Sequence, residues 1–216
     1  MKKLLLILAF AGLSVSCGDD DSGASSGPKP LTMTVTTPDV NEQKTWAFSY
    51  DAKDRIQTMS REGQQVTFNY DEKGRIARLD LEANLFHELI YDQDGYMTAI
   101  TGNAGTNLEI EHLGDDRYLA NGNIFSFTPD GDWERYLQLE YEYSNAKAAF
   151  ANVKGINFLV MALIDLDFVY HGSKKRRVNI REGDDNFPIT YTDGEKGLPA
   201  SESFGNLDIT YQYEQE

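Results

Sequence analysis

A motif of about 20 residues recurs along the chain, and this repeat limits the possible folds more than any other feature. Three successive copies are FSYDAKDRIQTMS (48–60), FNYDEKGRIARLDL (68–81) and LIYDQDGYMTAIT (89–101). Their second aromatic residues are spaced 20 and 21 residues apart: Tyr50, Tyr70 and Tyr91. A repeat of this length corresponds to one supersecondary unit per copy, so the chain should be an array of similar units.

Each copy has the pattern of a β-hairpin. The Asp, Lys and Gly residues after each tyrosine favour a turn, because Asp and Gly tolerate positive φ. Before the turns, residues alternate in the way that places every second side chain on one face. These inward sets are Trp46, Phe48 and Tyr50; Val66, Phe68 and Tyr70; and Leu85, His87, Leu89 and Tyr91. The repeat therefore predicts hairpins with strands of roughly five to eight residues.

Weaker copies extend the repeat over the rest of the chain. His112 and Phe127 continue it, with Gly131 placed like Gly74, and a C-terminal series contains Tyr170, Tyr191 and Tyr211. Eight or nine units imply about 14–18 strands, too many for a flat open sheet. The expected fold is mainly all-β: a long, curved antiparallel meander that could close into a barrel.

One region, near 145–166, interrupts the period. Its sequence, NAKAAFANVKGINFLVMALIDL, is the most apolar of the chain beyond the N-terminus. It could form one or two short helices inside the sheet. Alternatively, INFLVMALIDLDFVY (156–170) could be a buried strand, because short apolar runs fit both structures. We expect a short helical insert followed by a strand.

The N-terminus, MKKLLLILAFAGLSVSCGDDDSG, has the pattern of an export signal. Two lysines precede an apolar run, Leu4–Leu13, that is too short to cross a membrane as a helix. Residues 1–16 are therefore predicted to be a signal peptide. Residues 17–30 are polar and acidic and are predicted to be a flexible leash, and 31–216 to be a single domain.

The residues around the only cysteine resemble the lipobox of bacterial lipoproteins. Ser14-Val15-Ser16-Cys17 fits that motif, although many lipoboxes have Leu at the place of Ser14. The resemblance implies acylation of Cys17; the alternative is ordinary cleavage that leaves a plain cysteine. Asp19, Asp20 and Asp21 resemble the signal that exports Bacteroidota-type lipoproteins to the cell exterior. The resemblance implies an outer-membrane anchor facing outward; the alternative is a solvated tether at the periplasmic face.

The turns YDAKDRI, YDEKGRI and YDQDGYM resemble the YD repeat of RHS-type shell proteins, which are far longer. Almost the whole mature chain is similar to small Bacteroidota surface lipoproteins whose domain of unknown function is porin-like in fold. This resemblance implies a curved antiparallel sheet and no known reaction. Short strands with charged residues on both faces favour a sheet in water over a porin in lipid.

The charge excludes one class of partner. Residues 17–216 carry 18 Lys and Arg against 35 Asp and Glu, a formal charge of −17, because the first 16 residues contain two lysines and no acid. Such a chain should not bind nucleic acid. The basic run KKRR (174–177) is predicted to be a solvated hairpin tip or sheet edge.

No residue pattern indicates catalysis. The three histidines have no metal-ligand spacing, and no serine lies in a Gly-x-Ser-x-Gly elbow. We therefore expect no enzyme, no metal and no cofactor. Trp133 and Trp46 are the candidate ligand contacts, because exposed indoles stack on sugars; the alternative is that both are in the core.

The predicted function is that of a surface lipoprotein that binds a glycan or a partner protein. A structural subunit of an outer-membrane assembly is the first alternative, and a glycan-active enzyme the second. The expected partners are the membrane, through the N-terminal lipid anchor, and a glycan or protein ligand whose identity the sequence does not give.

Overall fold

The computed structural model describes residues 27–103 and 105–214. The predicted signal peptide (1–16), Cys17 and the aspartates at 19–21 lie outside the described residues. The predicted leash is described only from residue 27 onward.

Sixteen antiparallel strands form a closed barrel in which neighbours in sequence pair with each other and β1 pairs with β16. The strands are β1 Pro30–Thr37, β2 Glu42–Tyr50, β3 Ile56–Arg61, β4 Gln64–Tyr70, β5 Ile76–Asp80, β6 Phe86–Tyr91, β7 Met97–Gly102, β8 Asn107–Gly114, β9 Arg117–Ala120, β10 Asn123–Phe127, β11 Trp133–Tyr136, β12 Leu139–Lys147, β13 Lys175–Glu182, β14 Asp185–Asp193, β15 Pro199–Phe204 and β16 Leu207–Tyr213. This confirms the all-β meander and settles its closure.

Closure removes both free edges of the sheet. Met33 in β1 lies opposite Tyr211 in β16, and the next inward pair joins Val35 to Ile209. Beside this seam, Lys29 forms an ion pair of 2.9 Å with Glu214. A sheet without edges has no row of unpaired backbone groups through which it could pair with another chain.

The repeat tyrosines form a ladder along one rim of the barrel. Tyr50, Tyr70 and Tyr91 end β2, β4 and β6, and each hydroxyl donates a hydrogen bond to the first residue of the preceding strand. The acceptors are the carbonyl oxygens of Pro30 (2.6 Å), Ile56 (2.8 Å) and Ile76 (2.8 Å). The predicted row of tyrosines on alternate strands is confirmed. We call this end the tyrosine rim.

The other residues of the motif lock each turn to the next tyrosine. Asp71 accepts hydrogen bonds from the backbone N–H groups of Lys73 and Arg75, both at 2.9 Å, and from Nε of Arg75 at 2.8 Å. That guanidinium lies 4.2 Å from the ring centre of Tyr91, as the Arg55 guanidinium lies 4.1 Å from that of Tyr70. One turn therefore holds the tyrosine of the following unit by a cation–π contact.

The weaker copies occupy the same places. His112 stacks on Tyr96 at 3.5 Å between ring centres, where the other units stack arginine on tyrosine. In the Phe127 unit, Oγ1 of Thr128 replaces the aspartate and accepts the N–H of Asp132 at 3.2 Å.

The predicted C-terminal row of tyrosines is partly wrong. Tyr213, not Tyr211, makes the ladder bond, to the carbonyl of Pro199 at 2.7 Å. Tyr170 lies outside the strands, in the segment between β12 and β13. The register was misjudged because the period was extended across a non-repeating insertion.

Residues 148–174, which we call the plug, enter the barrel between β12 and β13 and fill its interior. Phe150, Phe158 and Phe168 are fully buried there. The ring of Phe168 lies 5.9 Å from that of Trp46, and the ring of Phe150 lies 5.4 Å from that of Phe48, both on β2. The apolar side chains of the plug thus form one core with the inward residues of the wall.

The predicted helical insert is confirmed and the predicted strand is not. Helix α1, Phe158–Ile164, begins at Asn157, whose side chain accepts the N–H groups of Leu159 and Val160. A 3-10 turn follows at Leu166–Val169, and the described plug contains no strand. The side-chain cap and the lack of a free sheet edge favour the helix.

The basic run Lys174–Arg177 is not a solvated tip. It joins the plug to β13, where the carboxylate of Asp132 accepts the backbone N–H of Lys174 at 2.6 Å and of Lys175 at 3.0 Å. Arg177 then points into the barrel and is 1% exposed. The prediction failed because a closed barrel has no edge for such a run to protect.

Candidate functional site

The two rims of the barrel differ in what they carry. The chain enters at the tyrosine rim, where residues 27–29 lead into β1, and the plug also begins and ends there. The turns of the opposite rim are 38–41, 62–63, 81–85, 103–106, 121–122, 137–138, 183–184 and 205–206. Antiparallel strands place alternate turns at opposite ends, so the second set is as far from the chain entry as the barrel allows.

Net negative charge is concentrated at the second rim, which we call the acidic rim. Ten carboxylates lie in its turns, in the residues flanking them or in the plug tip (163–167): Asp39, Glu42, Glu62, Asp80, Glu82, Asp165, Asp167, Glu182, Asp184 and Asp185. One cation, Arg61, lies among them. At the tyrosine rim, the turns, the residues that flank them, the chain ends and both ends of the plug carry thirteen carboxylates and eleven cations. The two ends of the barrel are therefore electrostatically different.

Ion pairs fix the plug tip at the acidic rim. Asp167 pairs with Lys44 of β2 at 3.0 Å, and Asp165 pairs with Arg61 of β3. Between these acids, Leu166 is 54% exposed. The plug therefore crosses the barrel from the tyrosine rim and reaches the opposite mouth.

A buried arginine holds the returning part of the plug. The guanidinium of Arg177 donates hydrogen bonds to the carbonyl oxygens of Val169 (3.1 Å), Tyr170 (2.6 Å) and Gly172 (3.0 Å). Gly172 has φ +84°, and a Cβ there would lie 3.2 Å from the ring of Phe168, so glycine is required. These contacts fix the backbone that carries Tyr170.

A cleft of about 630 Å³ opens at the acidic rim between the plug and β10–β13. Tyr136 of β11, Tyr170 of the plug and Glu182 of β13 line it, with Asn123 and Gln138 at the polar edge. Burial raises the pKa of Tyr170, and the nearby charge of Glu182 raises it further. The cleft thus combines two half-buried phenol rings with a carboxylate.

Packing behind the cleft holds both rings. The ring of Tyr136 lies edge-on to Trp133 at 5.4 Å, and the ring of Tyr170 stacks at 6.3 Å on Phe204, which itself contacts Phe187 at 5.6 Å. Both tyrosines are only partly buried, so part of each side chain remains accessible at the cleft. The aromatic surface is therefore preformed.

The tryptophans do not line a surface site. Trp133 is 1% exposed and Trp46 is 5% exposed. The indole N–H of Trp133 donates to the carbonyl of Phe168 at 3.3 Å, and its ring stacks on Phe127 at 4.5 Å. The expectation of an exposed indole is wrong for both, and the core alternative holds, because both point into the plugged interior.

Sequence reasoning missed Tyr136, Tyr170 and Glu182 as site residues. Tyr136 directly precedes the turn Leu137-Gln138, so its place at a rim could have been found from the hairpin pattern. The repeat predicts Tyr170 in a strand, whereas it lies in the plug, at the cleft. Nothing in the sequence pattern relates Glu182 to the plug.

The three histidines lie on different elements of the structure. His87 and His112 lie on β6 and β8, and His171 is buried in the plug. Within residues 27–103 and 105–214, no group of three or more His, Cys, Asp or Glu side chains could hold a metal ion. No helix in the same part of the chain is long and apolar enough to cross a membrane.

Two other concave regions lie at or near the tyrosine rim. A cleft of about 180 Å³ lies between Tyr118 and the start of α1. A groove of about 1050 Å³ lies beside Pro28, Leu31 and the turn between β14 and β15. Both adjoin segments by which the chain or the plug enters the barrel, whereas the cleft at the acidic rim is free of such segments.

No protein-family model matches the sequence, and no curated protein matches it significantly. Among solved structures, the chain is similar to a porin-like protein from Bacteroides uniformis ATCC 8492. The two are 13% identical with a TM-score of 0.47, over 86% of this chain and 98% of that chain.

Proposed function

We propose that this protein is a non-catalytic glycan-binding module, held at the exterior of the outer membrane by an acylated Cys17, with the cleft at the acidic rim as its binding site. The observation that carries the proposal is the position of that cleft. Tyr136 and Tyr170 lie at the rim opposite the chain entry at residue 27. An anchor on Cys17 would therefore leave the site accessible.

The tether supports this orientation. The segment from Cys17 to residue 27 would reach at most about 35 Å when fully extended. It joins the tyrosine rim, where positive and negative charges are nearly balanced. The acidic rim would be repelled by a membrane surface that carries anionic groups, and would point away from it.

The outer wall supports a barrel held in water. Arg78 pairs with Glu88 at 3.4 Å and Arg135 with Glu140 at 2.9 Å, and both pairs are on the outward face. An arginine or lysine facing lipid at the bilayer midplane costs about 2–4 kcal/mol. A wall with several such residues favours attachment by a lipid anchor over insertion.

The composition of the cleft supports a glycan as the ligand. Its volume of about 630 Å³ lies in the range typical of small-molecule sites. The faces of Tyr136 and Tyr170 can pack on sugar rings, while the amides of Asn123 and Gln138 can pair with hydroxyl groups. A binding surface for a folded partner would be larger, about 800 Å² on each side.

Binding is tested on a glycan array with the full chain carrying Cys17→Ala, which prevents acylation. We expect the protein to bind a defined set of the arrayed glycans. The double variant Tyr136→Ala/Tyr170→Ala should no longer bind that set. Tyr96→Ala, at the tyrosine rim, is the matched control and should bind the same glycans as the Cys17→Ala chain. The proposal would be contradicted if the protein bound no glycan, or if the double variant bound the same glycans equally well.

The exterior location is tested by protease treatment of intact cells. Replacing Asp19, Asp20 and Asp21 by Ala should leave the protein acylated but protected from the protease, because the acidic export signal is removed. The unchanged chain should be cleaved. Equal cleavage of the two proteins would show that these aspartates do not direct the protein to the cell exterior.

A further inference from the structure

The cleft at the acidic rim contains one charged side chain without a counter-ion. Glu182 ends β13 and lines the cleft beside Tyr170. The other charged lining residue, Arg135, is paired with Glu140 at 2.9 Å on the outer wall. Of the cations in the described ranges, none forms an ion pair with Glu182; Arg181, its neighbour, pairs with Glu142. The cleft therefore offers an unneutralised carboxylate.

Two aromatic faces flank this carboxylate. Tyr136 and Tyr170 both line the cleft, and each is held by packing from behind, on Trp133 and on Phe204. The faces of aromatic rings carry negative potential and attract ammonium groups, especially where water is partly excluded. Rings and carboxylate together match the requirements of an organic cation.

The surroundings of the cleft add to the same potential. The turns of this rim, the residues that flank them and the plug tip carry ten carboxylates and one cation, Arg61, which is engaged by Asp165. Lys44, which reaches the rim from β2, is likewise engaged by Asp167. A mouth that carries excess charge of one sign concentrates ligands of the opposite sign and raises their association rate.

From these observations we infer that the ligand of the cleft is a saccharide carrying a free amino group, whose ammonium lies between the rings of Tyr136 and Tyr170 and pairs with Glu182. The inference rests on the proposed glycan-binding function and names its ligand class. A small ligand is favoured over a lysine-rich peptide, because the volume of about 630 Å³ is that of a small-molecule site and the amide groups of Asn123 and Gln138 at its edge suit hydroxyls.

The test compares three probes by calorimetry with the full Cys17→Ala chain: a glucosamine trisaccharide, its fully N-acetylated counterpart and a lysine-rich peptide. The pH is kept below the pKa of the sugar amine. We expect the glucosamine trisaccharide to bind at least about tenfold more tightly than the acetylated one, and its affinity to fall with added salt.

Variants then locate the charge. Glu182→Gln should lower the affinity for the glucosamine trisaccharide about tenfold and leave that for the acetylated one unchanged. Asp184→Asn removes a carboxylate from the adjacent turn, outside the cleft, and is the matched control with little expected effect. Thermal unfolding of both variants checks that they are folded.

The outcomes separate the inference from the function on which it rests. Equal binding of the two trisaccharides would overturn the cationic ligand and leave glycan binding intact. Binding of the peptide alone would overturn the saccharide in favour of a basic protein partner. Binding of none of the three, together with an empty glycan array, would overturn both the inference and the proposed function.

Discussion

The guanidinium of Arg177, inside the barrel, donates a hydrogen bond of 2.6 Å to the backbone carbonyl of Tyr170, at the mouth of the cleft. Its two other bonds go to the carbonyls of Val169 and Gly172. A side chain of the wall thus fixes the part of the plug that carries a candidate binding residue. The candidate binding site and the core are coupled through this arginine.

Arg177→Lys should weaken both stability and binding. A lysine can replace one of the three hydrogen bonds but not the planar fork, and bonds from a charged donor contribute about 1.5–3 kcal/mol each. We expect the free energy of unfolding to fall by about 3 kcal/mol and the cleft to lose affinity for the glycan proposed as its ligand. Denaturant unfolding and calorimetry measure the two effects.

Arg176→Lys is the control for that variant. Arg176 points outward, where it contacts the carbonyls of Lys147 and Gly197 and pairs with Asp193. We expect a smaller loss than for Arg177→Lys, about 1 kcal/mol, and unchanged binding, since the carboxylate of Asp193 is 75% exposed and a pair that water reaches contributes little. If both variants behaved alike, the special role of Arg177 would be refuted.

The tyrosine ladder should contribute to stability through ring and hydroxyl separately. Tyr70→Phe removes the 2.8 Å bond to the carbonyl of Ile56 and should cost about 1 kcal/mol. Tyr70→Ala also removes the ring beneath Arg55 and should cost about 3 kcal/mol. Chemical unfolding measures both. A Tyr70→Ala protein as stable as the unchanged chain would mean that the ladder is not structural.

Stability should fall with pH below neutrality because of His171. Burial, and then the charge of Arg177, lower the pKa of His171 from 6.5 to about 3. Between these values the unfolded chain binds a proton that the folded chain does not, so acid favours unfolding. The contribution is complete above pH 6.5 and is lost at about 1.4 kcal/mol per pH unit as the pH falls towards 3.

The measurement compares the unchanged chain with His171→Gln, which cannot titrate. From pH 6.5 to pH 5 the unchanged chain should lose about 2 kcal/mol more than the variant. Other titrating groups, such as Asp51 and Asp71, whose pKa values are lowered, act in both proteins and cancel in the difference. Parallel pH profiles would show that His171 is not buried in its neutral form.

The membrane attachment should depend on Cys17 alone. Cys17→Ala removes the acyl site, and we expect the protein to move from the membrane fraction to the soluble fraction after cell lysis. Ser16→Ala, next to it, keeps a small residue before the cysteine and should stay in the membrane fraction. Unchanged fractionation of Cys17→Ala would contradict the lipoprotein assignment.

The hairpins could be predicted from the sequence because their determinants are local. Asp71, Gly74 and Arg75 act within one turn, and the hydroxyl of Tyr70 bonds to the preceding unit, so the repeat itself encodes these contacts. Closure could not be predicted, since it depends on contacts between distant residues such as Lys29 and Glu214. Local patterns contain no information about that pairing.

The sequence pattern does not predict the path of the plug or the composition of the cleft. Residues 158–164 are all apolar, and the first four are buried, which hides the periodicity that separates helix from strand. Tyr136, Tyr170 and Glu182 come from a hairpin, the plug and the following strand. Only the passage of the plug through the barrel brings them together.

The central claim is that the plug crosses a closed barrel and presents Tyr170 at the acidic rim. It is tested by zero-length carbodiimide cross-linking, which joins an amine to a carboxylate in direct contact. Two ion pairs serve as targets: Lys44 with Asp167 at 3.0 Å at the plug tip, and Lys29 with Glu214 at 2.9 Å at the barrel seam. Mass spectrometry of the digested protein identifies the joined peptides.

We predict both cross-links in the unchanged chain, and specific loss of the Lys44–Asp167 product in Asp167→Asn. The Lys29–Glu214 product should persist in that variant and serves as the internal control for a folded, closed barrel. Detection of the Lys29–Glu214 product without the Lys44–Asp167 product would place the plug tip away from the acidic rim, and would contradict the binding site proposed there.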